Sequence, residues 1–309
     1  MAKIVVLDGY TLNPGDLSWD ALHKLGEVEL YERSSPTEAL ERVKGAEIII
    51  TNKVPITEEM MEKNPQLWGI VVSATGINIV DNEAAKSRQI PVLNAVGYST
   101  PSVVQLVFGF IFHFRLRIDL LDQSVKKGDW SKSPDFCYWL DPISELSGKT
   151  LGIFGFGSIG KAVAKAGEAF GMKIFPIGRN EKNQTEKMFA ESDIVSLHAP
   201  LTKDTEGFVN MGLLNQMQPH SILINTGRGP LIVEEDLNKA LWERKIFGAG
   251  LDVLSKEPPP ENHPLISNPH CVLTPHVGWT GIESRKRLME ITVENVEKLL
   301  SKRLYLRSF

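Results

Sequence analysis

Only two cysteines, Cys137 and Cys271, occur in 309 residues. That is too few for a disulfide framework, and it points to a reducing compartment, the cytoplasm. Positive charge is not in excess either. Lys and Arg number 34 against 38 Asp and Glu, a formal net charge of −4, so the basic footprint of a nucleic-acid-binding protein is missing. Long apolar runs are also absent. The start, Lys3-Ile4-Val5-Val6-Leu7, reads as a buried strand, and neither a signal peptide nor a membrane span is expected. Metal-ligand spacing is lacking as well. His263, His270, Cys271 and His276 lie near Glu257 in sequence, but the adjacent His270 and Cys271 would point to opposite faces of a strand. None of the usual zinc spacings occurs, and no metal site is expected.

What is present begins with length, which exceeds the usual single core and predicts two domains. Short apolar runs alternate with helix-length segments from end to end, the pattern of a parallel α/β architecture. In the first third, strands are predicted at 3–7, 28–31, 47–51, 69–73 and 91–94, with helices at 19–25, 37–44 and 81–87. They suffice for a small flavodoxin-like sheet. One long helix is predicted from Pro101 toward Val125, with Pro101 suited to a first turn. The stretch 128–146 carries Trp130, Phe136, Tyr138 and Trp139 without periodicity, which suggests a surface that a partner subunit covers. A second α/β unit follows, with strands at 150–154, 173–177, 194–197, 221–225, 248–251 and 271–274. An amphipathic helix over 285–300 and a polar tail end the chain.

Each strand of the second unit is followed at once by polar or glycine residues: Gly155-Phe156-Gly157-Ser158-Ile159-Gly160, Gly178-Arg179, His198-Ala199-Pro200, Thr226-Gly227-Arg228, Asp252 and Pro275-His276. In an open parallel sheet the carboxyl ends of the strands form the edge where ligands bind. The glycine loop between a strand and a helix is a dinucleotide fingerprint. Gly155 permits the tight turn, Gly157 lets the pyrophosphate approach, and Gly160 seats the helix on the sheet. The next strand ends at Gly178-Arg179 rather than in the acid that would bind a ribose 2′-hydroxyl. An arginine there favours a 2′-phosphate, so NADP(H) is expected ahead of NAD(H). Pro176 inside that strand is anomalous, because proline lacks a ladder donor.

Arg228, Glu257 and His276 meet the remaining needs of hydride transfer to a 2-keto acid. Arginine pairs with a carboxylate without deprotonating. Histidine can deliver a proton near neutral pH. A carboxylate on its second nitrogen favours the imidazolium. The two glycines beside Arg228 suggest crowding by a ligand.

Taken together, these residues resemble the D-isomer-specific 2-hydroxyacid dehydrogenases over essentially the whole chain. The resemblance rests on the GFGSIG loop, Pro200-Leu201-Thr202 with Thr205 and Gly207, Asn225-Thr226-Gly227-Arg228-Gly229, Asp252-Val253 with Glu257-Pro258, and Pro275-His276. It implies a Rossmann-type doubly wound domain over 99–284. A smaller flavodoxin-like substrate domain is implied over 1–98 and 285–309, as is a homodimer made through the nucleotide domain. By resemblance Arg228 binds substrate, Glu257 partners the histidine and His276 donates the proton. Ser158, Ile159, Thr226 and Asp252 would touch the cofactor, Asp252 near the carboxamide. Ala74-Thr75-Gly76-Ile77-Asn78, Val96-Gly97-Tyr98-Ser99-Thr100 and His276-Val277-Gly278-Trp279 are similar to the glycerate dehydrogenase (hydroxypyruvate reductase) branch. That implies reduction of hydroxypyruvate or glyoxylate to D-glycerate or glycolate. Backbone N–H groups around Thr75 and Gly76 would share the carboxylate with Arg228, and Trp139 would reach the neighbouring subunit's site. Two alternatives stand beside this: a D-lactate or other 2-hydroxyacid dehydrogenase, and a non-catalytic cofactor-sensing protein on the same fold.

Overall fold

Short apolar runs without helical periodicity form strands, and the segments between them form helices that cover the sheets. The computed structural model describes residues 1–178 and 182–307. It divides into two units, Met1–Ser99 with Thr280–Phe309, and Thr100–Trp279.

The first unit holds β1 (Ala2–Val6), β2 (Gly26–Leu30), β3 (Ile48–Thr51), β4 (Gly69–Val72) and β5 (Val92–Asn94). Their order is β2-β1-β3-β4-β5 and every pairing is parallel, the flavodoxin-like order. Residues of β3 and β4 are buried throughout, as expected of parallel strands covered on both faces. The helix Pro36–Arg42 starts with a capping box in which the Ser35 side chain accepts from the Glu38 N–H and Glu38 accepts from the Ser35 N–H, satisfying two donors at once. The closing helix spans Ile282–Arg307, longer at both ends than the predicted 285–300. No glycine or proline stops it after Leu300, and the lysine, arginine and leucine that follow are good helix formers. Val296 and Leu299 join Ile4, Ile48 and Val71 in one apolar cluster. Arg285 forks onto Asp16 with two 2.6 Å bonds.

The second unit holds β6 (Thr150–Phe154), β7 (Lys173–Ile177), β8 (Ile194–Leu197), β9 (Ile222–Asn225), β10 (Gly248–Leu251) and β11 (Cys271–Leu273). They are ordered β11-β10-β9-β8-β6-β7, again all parallel. The winding reverses between β6 and β8, which makes the carboxyl ends of that pair the switch point where a ligand crevice forms. The expected doubly wound architecture is therefore present.

The position of β7 also resolves the proline. The Lys173 N–H donates to Lys149 O, and Ile177 O accepts from the Gly155 N–H, so alternate residues from Lys173 face β6. Pro176 faces the open edge, where no ladder donor is required.

The single helix predicted from Pro101 to Val125 is corrected to two, Thr100–Leu116 and Ile118–Lys126. Arg117 between them has φ 53° and ψ 37°, the left-handed region. The first of these helices lays Phe110 and Phe114 over Gly250 and Gly248 of β10, where any Cβ would meet their rings. Among the described residues no helix is long and apolar enough to cross a membrane.

Candidate active site

The chain leaves β6 into the glycine loop. Gly155 has φ +99°, and a Cβ there would collide with the backbone of His198 and Ala199 just past β8. A Cβ on Gly160 would overlap the Gly155 carbonyl. Both are thus glycine because backbone lies against backbone. Gly157 differs: nothing stands within 4 Å of the place its Cβ would occupy. It caps the helix Ser158–Ala169 without any side-chain hydrogen bond. The first-turn N–H groups, with Ser158 and Ile159 among them, are left for an anion.

Thr226, at the end of β9, adds a buried hydroxyl with no hydrogen-bond partner, which a ligand's polar group would satisfy. An open backbone cradle at a helix start, with an orphaned hydroxyl two strands along the same edge, fits a nicotinamide dinucleotide. His198 lines this edge too. Its Nε2 lies 2.9 Å from Ser196 Oγ, and burial pushes its pKa down to about 4, so the ring stays neutral. Arg179, the expected 2′-phosphate ligand, lies outside the described residues.

Further along the same edge, Asn225 shapes the arginine loop. Its Oδ1 accepts from the Gly227 N–H at 3.0 Å and its Nδ2 donates to Arg228 O at 2.8 Å, the local bridging that asparagine brings to turns. Sequence reasoning quoted Asn225 without this role, although an Asn two residues before a Gly is the signal for it. Arg228 is half-buried and donates to Gly227 O at 2.8 Å. Among the described residues it has no acidic partner, which leaves its charge for an anionic ligand.

Of the two glycines beside it, Gly229 is crowded by the protein itself, whereas a Cβ on Gly227 would meet only ordinary contacts at 3.4 Å and beyond. A Cβ on Gly229 would run into the Leu254 carbonyl and the Ser255 nitrogen. The arginine loop therefore packs directly on the loop that carries Glu257. Gly229→Ala is expected to destabilise the protein by about 1–3 kcal/mol, the usual cost of overpacking. Thermal unfolding measures this, and a parental Tm would mean that the two loops part freely.

Glu257 links that loop to the histidine. Its Oε1 accepts from the Leu254 N–H at 3.2 Å and its Oε2 lies 2.6 Å from His276 Nδ1. The proton on Nδ1 therefore points at the carboxylate, and Nε2 is left for chemistry.

His276 itself has φ 54°, an uncommon backbone state for a residue with a Cβ. Asp252 holds it there. The Asp252 carbonyl accepts from the His276 N–H at 2.8 Å. The carboxylate accepts from Thr274 Oγ1 at 2.6 Å and from the Val277 and Gly278 N–H groups at 2.8 Å each. Asp252 is 2% exposed. Burial pushes its carboxyl above the usual range, against the opposing pull of those donors and of the His276 charge. Asp252, expected as a cofactor contact, also braces the histidine loop.

Of the remaining expected site residues, Thr75 and Gly76 follow β4 in the first unit, where Thr75 O accepts from the Asn94 amide at 2.6 Å. Trp139 stands apart on the 128–146 loop and is 66% exposed.

A family model for the D-isomer-specific 2-hydroxyacid dehydrogenase NAD-binding domain matches residues 108–278. A hydroxypyruvate reductase of Blautia hydrogenotrophica is 43% identical over 311 residues, spanning 96% of this chain and 97% of that protein. A glycerate dehydrogenase of Methylorubrum extorquens is 38% identical over 304 residues, with 97% and 96% covered. Among solved structures, an NADPH-dependent glyoxylate/hydroxypyruvate reductase of Sinorhizobium meliloti in complex with NADP and malonate superposes with TM-score 0.81 at 28% identity. That likeness covers 97% of this chain and 94% of the other. With the cradle, the arginine and the carboxylate–histidine pair on one sheet edge, the chain belongs to the D-isomer-specific 2-hydroxyacid dehydrogenases, enzymes that use a nicotinamide dinucleotide.

Proposed function

We propose that this protein reduces hydroxypyruvate or glyoxylate to D-glycerate or glycolate. The observation that carries the reading is the His276 imidazole, tied at Nδ1 to Glu257 at 2.6 Å, on the same sheet edge as an arginine that has no acidic partner among the described residues. The relatives named hydroxypyruvate reductase and glycerate dehydrogenase support the choice of substrate. Thr100–Trp279 serves as the dinucleotide-binding unit and Met1–Ser99 with Thr280–Phe309 as the substrate-binding unit. Thr75 and Gly76 are substrate contacts in this reading on the strength of the family resemblance.

The bound nicotinamide supplies the hydride that reduces the keto carbon. Arg228 pairs with the substrate carboxylate and draws charge onto the keto oxygen. His276 Nε2 gives its proton to that oxygen as it becomes an alkoxide. Glu257 at Nδ1 keeps the ring in the tautomer and orientation needed for that transfer. The cradle around Gly157 takes the pyrophosphate, and the Thr226 hydroxyl finds its partner on the cofactor.

NADP(H) is the proposed cofactor, because Gly178 and Arg179 stand where an acid would select NAD(H). The complex of the Sinorhizobium meliloti reductase with NADP is consistent with that. Oxidation of NADPH with hydroxypyruvate, followed at 340 nm and repeated with NADH, tests reaction and cofactor together. A higher kcat/KM with NADPH is expected. A marked NADH preference overturns the cofactor reading, and turnover of neither hydroxypyruvate nor glyoxylate overturns the reaction.

The same reading includes a homodimer through the nucleotide unit. Trp130, Phe136, Trp139, Leu140 and Ile143 are all 49% or more exposed on a single loop, a grouping of exposed apolar side chains that favours an interaction surface. Trp139 is proposed to reach the partner subunit's site. Two unpaired cysteines suit the cytoplasm, where the enzyme is placed.

A further inference from the structure

The loop that carries Glu257 has an anchor outside the residues assigned so far. Glu234 opens the helix Glu234–Trp242. Its Oε1 accepts from the Ser255 N–H at 2.7 Å and its Oε2 lies 3.2 Å from His263 Nε2. The two side chains are 17% and 10% exposed. His263 Nδ1 is buried and has no partner. A proton there would be a buried donor with nothing to receive it, so the ring proton sits on Nε2 and is donated to Glu234. Glutamate and histidine thus form one polar clamp on the backbone at Ser255.

That backbone is where two parts of the site meet. Leu254, one residue earlier, donates its N–H to Glu257 Oε1, and its carbonyl abuts Gly229 beside Arg228. From Val253 to Glu257 the chain has no helix or strand to fix it, so its shape depends on such pins. Neither Glu234 nor His263 hydrogen-bonds His276.

We propose that Glu234 and His263 are positioning residues. By clamping the Ser255 backbone they hold Glu257 at its distance from His276. The inference rests on the roles given above to Glu257 and His276, and it extends the machinery to a helix start and a loop that have no part in the proposed substrate or cofactor contacts.

A double-mutant cycle tests it, with kcat measured on hydroxypyruvate and NADPH and cofactor affinity followed by NADPH fluorescence. Glu234→Ala is expected to lower kcat by about ten- to a hundredfold, the scale of small misplacements in a reacting geometry, with cofactor Kd unchanged. In a Glu257→Gln background the same substitution should change kcat by less than about twofold, because its route of action is already cut. Equal losses in both backgrounds, or a parental kcat for Glu234→Ala, overturn the proposal. If Glu234→Ala does not fold, two replacements of the histidine decide. His263→Gln, whose amide can donate to Glu234, should keep parental kcat while His263→Leu loses it. Equal kcat for those two overturns the clamp. A parental kcat for Glu257→Gln would instead overturn the reading of the site itself.

Discussion

His276→Ala is expected to lose about 10²–10⁴-fold in kcat, the usual contribution of a positioned general acid, while NADPH binds as tightly as before. The two halves of that result have separate physical sources. In the proposed reaction the imidazole carries the proton to the keto oxygen, and Glu257 orients it through Nδ1 at 2.6 Å. The cradle made by Gly155, Gly157 and Gly160 and the Thr226 hydroxyl lie on other strand ends, so removing the ring leaves cofactor binding in place. Steady-state kinetics with a fluorescence titration of NADPH separate the two. A His276→Ala enzyme within a few fold of parental kcat would remove this histidine from the acid's role.

Arg228→Ala is expected to reduce kcat/KM by about 10²–10³-fold or more, the scale seen when one donor to a developing oxyanion is deleted. Both parameters should move. Loss of the carboxylate partner raises KM, and loss of polarisation at the keto oxygen lowers kcat. Arg228→Lys should recover only part of the loss, because an ammonium is a point charge and cannot reproduce the planar two-pronged contact. The bond to Gly227 O at 2.8 Å is a local one and contributes little by comparison. If Arg228→Ala and Arg228→Lys both retain parental kcat/KM, substrate is held elsewhere.

Much of the site was legible because chemistry and topology coincide at the strand ends. An apolar run followed by Gly155-Phe156-Gly157 can be read locally, since strand, turn and helix start are consecutive in the chain. The same holds for Arg228 after β9 and His276 after β11. What could not be read depends on contacts far apart in sequence. Gly229 is small because Leu254, 25 residues later, presses on it, and spacing alone carries no sign of that. Asp252 is expected near the cofactor, and its second role, accepting from Thr274, Val277 and Gly278, is set by a fold that alone brings those donors within reach. The break at Arg117 has no glycine, asparagine or proline to announce it. A left-handed arginine inside a helical pattern is set by packing on both sides rather than by its own preference.

Pro176 bears on how the sheet ends. A strand docking alongside β7 would need N–H donors from Ile174 and Pro176, the two residues turned away from β6, and only Ile174 has one. The β7 border of the nucleotide sheet is therefore a poor template for a further strand, because half of its outward donors are missing.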